Sequence, residues 1–194
     1  MPITPLRVLA ADERKPQLEE LVRLLASLGH HVIARAVALA DVERSIVEDQ
    51  PDAAVVLVHD DEEHALTLIE EIVDGASCPV VALRETPDPD FIGEAAERGI
   101  YAYVQPMNAD ALRGAIEVAM RRHAETERLE ETVDQLTAAL QRRAVIERAK
   151  GMLMERHGID EREAFELLRG HARSSNTKVL ELARSVTQGV TLER

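Results

Sequence analysis

Up to residue 104, short apolar runs alternate with stretches in which apolar residues return every three or four positions. The runs are LRVLAA (6–11), HVIARA (31–36), DAAVVLV (52–58), PVVAL (79–83) and IYAYV (100–104). Near-continuous apolar runs of this length fit strands buried on both faces. The stretches between them, residues 17–29, 39–49, 64–75 and 90–99, carry the helical period, and Gly29 closes the first. This alternation predicts an α/β domain, a doubly wound parallel sheet of five strands with helices on both faces.

The pattern then changes. One long helix is predicted from residues 108–110 onward to a stop at Gly158, a residue suited to the left-handed turn that ends helices. Within it Leu129, Val133, Leu136 and Leu140 are spaced 4, 3 and 4 residues apart, a heptad seam, although Arg122 and Thr126 fall on the same line upstream. Nothing else in the chain is left over to cover that stripe, so two copies are expected to pair there as a homodimeric coiled coil. After Gly158, Asp160 and Glu163 form a capping box. The helix they open has an apolar face of Ala164, Phe165, Leu168 and Ala172, which puts Phe165 in a core. SSNT (174–177) breaks the pattern and offers caps for a last helix, with Val179, Leu180, Leu182, Ala183 and Val186 on its apolar face. Gly151, inside the long helix, costs about 1 kcal/mol relative to Ala, a cost that close approach of a neighbouring helix would offset. The predicted divisions are residues 1–125, 126–141 and 142–194.

Composition narrows the picture. Aromatic residues are only 2% of the chain, so the cores must be built from Leu, Val, Ile and Ala. The single cysteine, Cys78, excludes an internal disulfide and suits a reducing cytoplasm. It stands beside Pro79 with no evident base, as a small buried hydrophobe does. No apolar run approaches the roughly 18 residues of a membrane span, and the N-terminus lacks the apolar core of a signal peptide. The expectation is a cytoplasmic protein without a membrane partner. Charge divides the chain: residues 1–140 carry 12 Lys/Arg against 28 Asp/Glu, whereas residues 141–194 carry 11 against 8. A cationic surplus confined to one end hints at a polyanionic partner there.

The five-strand segment resembles a response-regulator receiver domain, the CheY-like fold, over roughly residues 5–125. The segment AKGMLMERHGIDEREAFELLR, with Ala149, Lys150, Gly151, Leu153, Met154, Gly158, Ala164, Phe165, Leu168 and Arg169, resembles the ANTAR domain over about residues 138–190. That second resemblance implies a small three-helix RNA-binding module of transcription antitermination regulators. Such modules recognise stem-loops with paired hexanucleotide loops in mRNA leaders and so prevent a terminator hairpin from forming. The candidate RNA-binding residues are Lys150, Arg156, His157, Arg169, Arg173 and Lys178, because phosphates ask for cations and splayed loop bases for polar groups. Arg142 and Arg143 lie close enough to the module to reach RNA. With Phe165 in the core, the module would lack an aromatic stacking platform.

The receiver resemblance implies phosphoryl chemistry, which needs an acidic pair after strand 1 to hold Mg²⁺, an acceptor Asp at the end of strand 3, a hydroxyl after strand 4 and a Lys after strand 5. Asp12 and Glu13 supply the pair. Leu57 stands at the acceptor position, Arg84 at the hydroxyl and Gln105 at the Lys, with Pro106 kept after it. The segment is therefore expected to be a pseudo-receiver that holds no metal or other cofactor and is governed by a sensor protein or a small ligand. Arg84 is expected to reach Asp12 and Glu13 and relieve their mutual repulsion. A rival alignment, with strand 3 slipped, makes Asp60 or Asp61 the acceptor and the chain a phosphorylated response regulator. A third reading is an adaptor whose tail binds protein and no RNA. HDDEEH (59–64) is expected to be a solvated loop with its acids at a helix N-terminus, not a metal cluster.

Overall fold

The computed structural model describes residues 5–193 apart from 13, 37–38, 60–61 and 85–87. It divides into two compact units, Met1–Glu127 and Arg128–Arg194. In the first, β1 (Arg7–Ala11), β2 (His31–Ala36), β3 (Ala53–Val58), β4 (Val80–Arg84) and β5 (Ala102–Val104) pair in parallel in the order β2-β1-β3-β4-β5. Between them run α1 (Lys15–Ser27), α2 (Leu39–Asp49), α3 (Glu62–Gly75) and α4 (Pro89–Glu97). A fifth helix, α5 (Ala109–His157), begins in this unit and continues through the boundary at residue 128 as one 49-residue element.

The sheet is apolar on both faces because both are covered. Successive side chains on a strand point to opposite sides. On β3, Ala54, Val56 and Val58 pack with Val42 and Ile46 of α2, Ile69 and Ile72 of α3 and Phe91 of α4. The alternate residues Val55 and Leu57 pack with Leu21 and Leu25 of α1 and Leu112 and Ile116 of α5. This two-sided burial is why β1, β3 and β4 read as unbroken apolar runs. The strand order reverses between β1 and β3, and in doubly wound sheets the carboxyl ends flanking such a reversal hold the functional crevice.

In the second unit the end of α5 packs against α6 (Glu161–Ser174) and α7 (Val179–Thr187). Ala149, Leu153, Ala164, Leu168, Ala183 and Val186 are fully buried at its centre. Gly158 takes φ +63° where α5 stops, and its N–H donates to the Met154 carbonyl at 2.9 Å. The capping box forms as expected: the Glu163 N–H donates to Asp160 Oδ1 at 2.8 Å, and the Asp160 N–H to Glu163 Oε2 at 3.2 Å.

Three details depart from the sequence reading. SSNT closes α6 instead of capping α7: the Ser174 and Ser175 hydroxyls donate to the His171 carbonyl, Asn176 turns at φ +54°, and α7 starts at Val179 after an N-cap residue, Lys178, that makes no side-chain cap bond. Phe165 is 36% exposed, because Ala164 and Leu168 already fill the face of α6 that meets the core. Gly151 is also exposed, and nothing lies within 4 Å of where its Cβ would stand, so no close helix approach explains it.

Candidate nucleic-acid interface

The receiver resemblance places its chemistry at the carboxyl edge of the sheet. Asp12 follows β1 and is fully buried. Its Oδ1 accepts from the Arg14 N–H at 2.7 Å and lies 2.9 Å from His59 Nε2. A carboxylate only accepts, so Nε2 carries the proton in that bond. The His59 side chain is itself only 7% exposed. HDDEEH is therefore not simply a solvated loop: His59 ties the end of β3 to the end of β1, while Glu62 and Glu63 occupy the first turn of α3. Glu13, Asp60 and Asp61 lie outside the described residues.

Leu57 is 3% exposed and pairs in register with Leu83. Its branched alkyl group packs against α1 and α5. Arg84 ends β4 on the same face as Ala82, toward α3 and α4. Its Nη1 donates to Glu62 Oε1 at 2.7 Å, its Nη2 lies 3.5 Å from Asp88 Oδ2, and its guanidinium covers the Phe91 ring at 5.4 Å. The expected reach to Asp12 is thus replaced. Strand alternation aims Arg84 at the acids of α3 and α4, and His59 takes Asp12. Asp88 caps α4, and the bond from the Phe91 N–H leads the effects that hold its carboxyl below the usual range. Gln105 follows β5 and is half-buried.

Receivers hold Mg²⁺ at this edge, and the described donors here do not by themselves make a set that fits it. Leu57 offers no oxygen, and His59 engages Asp12. Among the described residues, no three His, Cys, Asp or Glu side chains gather to hold a metal ion.

The six candidate residues of the second unit separate into two groups. Lys150 is 7% exposed, and its Nζ donates to Glu147 Oε2 at 2.8 Å and to Glu161 Oε1 at 2.6 Å. The Glu147 bond, then the Glu161 bond, raises the ammonium pKa, and Lys150 in turn lowers that of Glu161. Lys150 thus fastens α5 to the start of α6, its charge turned to the protein's own acids. Arg156 donates to the Val190 carbonyl at 3.2 Å. His157 is half-buried, with Nε2 unpartnered.

Arg169, Arg173 and Lys178, by contrast, line one concavity of about 550 Å³ with Asn176 and Thr177. The α6–α7 turn sets this arrangement, with Asn176 in the left-handed conformation that Asn tolerates. The Arg169 guanidinium lies 5.8 Å from the centre of the half-exposed Phe165 ring. The module therefore has a partly exposed aromatic ring with Arg169 over it, where the sequence places Phe165 in the core. A second groove, of about 580 Å³, runs between α5 and α7 and carries Arg142, Arg148 and Arg184. Of these three, only Arg142 was a candidate on sequence grounds. Arg148 follows Val145 by three residues and Arg184 follows Leu180 by four, so helical spacing could have placed both at the rim of the groove. On α5, Leu129, Val133, Leu136 and Leu140 are 51%, 60%, 60% and 69% exposed. Among the described residues, no helix is long and apolar enough to cross a membrane.

Comparison with known proteins agrees with this geometry. Residues 134–186 match the ANTAR domain family. The transcriptional regulatory protein PdtaR of Mycobacterium tuberculosis is 29% identical over 191 residues, covering 95% of this chain and 90% of that protein. The aliphatic amidase regulator of Pseudomonas aeruginosa is 31% identical over 108 residues, 55% of each chain. Among solved structures, the receiver domain of a modulated diguanylate cyclase from Desulfovibrio desulfuricans shares the fold with a TM-score of 0.55 at 20% identity, over 63% of this chain and 99% of that one. A two-component response regulator from Clostridium difficile does so with a TM-score of 0.52 at 20% identity, over 60% and 96%. A receiver fold at one end, a match to the ANTAR domain family at the other and similarity to PdtaR along nearly its whole length make this chain similar to the ANTAR response regulators.

Proposed function

We propose that this chain is a non-enzymatic, RNA-binding transcription antitermination regulator that works in the cytoplasm as a homodimer. The observation that carries the reading is the concavity of Arg169, Arg173 and Lys178 around Asn176 and Thr177, inside the ANTAR domain. Cations there meet phosphates, while an amide and a hydroxyl meet the edges of bases splayed from a hairpin loop. Binding a stem-loop in an mRNA leader blocks the competing terminator hairpin. Lys150 supports this surface indirectly, by holding α5 and α6 in register.

The receiver unit acts as a pseudo-receiver. Buried Leu57, the Arg84–Glu62 pair and Gln105 stand where acceptor, hydroxyl and Lys would be needed, which supports control by a sensor protein or small ligand docking on the unit. The exposed seam from Leu129 to Leu140 supports pairing of two copies. Two RNA modules in one dimer suit a two-loop target, since tethering raises the effective concentration of the second site. The test is binding to a stem-loop with paired hexanucleotide loops against a loop-scrambled control, with Arg173→Ala and Lys178→Ala alongside. The intact loops should be preferred and both substitutions should weaken that binding. Equal affinity for the scrambled RNA would overturn the reading.

A further inference from the structure

We propose that the groove between α5 and α7 is a separate contact for the sugar–phosphate backbone of the RNA stem. The inference rests on the RNA-binding reading and assigns a second surface to it. Arg142 and Arg148 of α5 and Arg184 of α7 are all exposed and converge on this groove. None of the three makes an ion pair among the described residues, and no acidic side chain lines the groove. That is unusual in a chain with a formal net charge of −13. The concavity beyond α6 differs: Glu181 lines it, and Arg169 lies 3.5 Å from Glu166.

Spacing selects a polymer over a small anion. A rise of about 1.5 Å per residue sets Arg142 and Arg148 roughly 9 Å apart along α5. Cations carried that far apart suit successive phosphates of one strand better than a single small anion. Val145 and Leu180 give the groove an apolar floor, and charge attraction strengthens beside such low-dielectric surface. Gln141 and Thr187 add hydrogen-bonding groups for ribose hydroxyls. No aromatic side chain lines the groove, so it offers backbone contact and no stacking of bases. At 3.6 residues per turn, Ala138, Arg142 and Val145 fall on the side of α5 opposite the Leu129–Leu140 seam. The groove thus stays open when two copies pair.

The experiment uses the full chain and the hexaloop stem-loop RNA, titrated across a salt series. The variants are R142Q/R148Q/R184Q, the charge-keeping R142K/R148K/R184K, and R7Q/R23Q/R113Q, three exposed arginines of the first unit, as a control for net charge. Each phosphate contact adds roughly 0.7–0.9 to the slope of log K against log salt. The triple Gln variant should therefore lose about 2 from the slope and bind roughly tenfold or more weakly at low salt. Its preference for intact over scrambled loops should persist, because phosphate contacts carry no sequence information. The Lys variant and the control should keep the wild-type slope. An unchanged slope in the triple Gln variant, with wild type still binding, would overturn the groove alone. Failure of wild type to bind any stem-loop would overturn the RNA reading and the groove with it.

Discussion

Leu136→Ala tests the seam on α5. Leu136 is 60% exposed in a single chain, between Val133 at 60% and Leu140 at 69%. Burying a whole Leu side chain contributes about 1.5–3 kcal/mol, so hiding the exposed part of this one contributes roughly 1–2. Two copies double the effect, and the substitution should cost the dimer about 2–4 kcal/mol. That weakens the dimer about 30-fold to several-hundred-fold, with the methyl that Ala keeps favouring the lower end. Ala preserves helix propensity, so the loss reads out pairing and not helix formation. Sedimentation equilibrium on the full chain measures the dissociation constant, and circular dichroism checks that helix content is kept. Val47→Ala is the control, since Val47 is 76% exposed on α2 and belongs to the other unit. A dissociation constant within twofold of wild type, with helix content intact, would refute the seam as the pairing surface.

Two further outcomes follow from the packing. Gly151→Ala should stabilise the second unit by about 1 kcal/mol, because its Cβ meets nothing within 4 Å; a lower melting temperature would contradict this. Burial leads, with Asp52 adding, in raising the Cys78 thiol from its ordinary 9.0 to about 11. The thiol is therefore neutral in the folded state, and its stabilising share is fully present below pH 9 and lost as the pH climbs toward 11. Native protein at pH 8 should react with iodoacetamide far more slowly than unfolded protein, and equal rates would contradict the burial.

The parallel sheet was legible because its strands are covered on both faces, so each apolar run stood out against its amphipathic neighbour. The turn between α5 and α6 was legible because Gly158, Asp160 and Glu163 act through local backbone geometry. What stayed hidden depends on contacts distant in sequence. Nothing local tells that His59 reaches Asp12 across 47 residues, or that Arg84 prefers Glu62. Lys150 reads as a surface cation until α6 folds back and brings Glu161 to its ammonium. Phe165 misled because hydrophobic type was taken for burial, while Ala164 and Leu168 had already filled the core-facing stripe. Arg148 and Arg184 lie in separate helices, and only their packing makes one groove.

The central claim is that the chain reads RNA without phosphorylation of its receiver unit. The most direct measurement is the affinity of the full chain for the two-hexaloop stem-loop, before and after incubation with acetyl phosphate and Mg²⁺, with intact mass recorded on both samples. The account predicts salt-sensitive, loop-dependent binding in both, with no 80 Da adduct expected for a phosphoryl group, since Leu57 offers no acceptor. Binding that appears only in the treated sample, together with that adduct, would contradict it and return the acceptor role to a carboxylate such as Asp60 or Asp61.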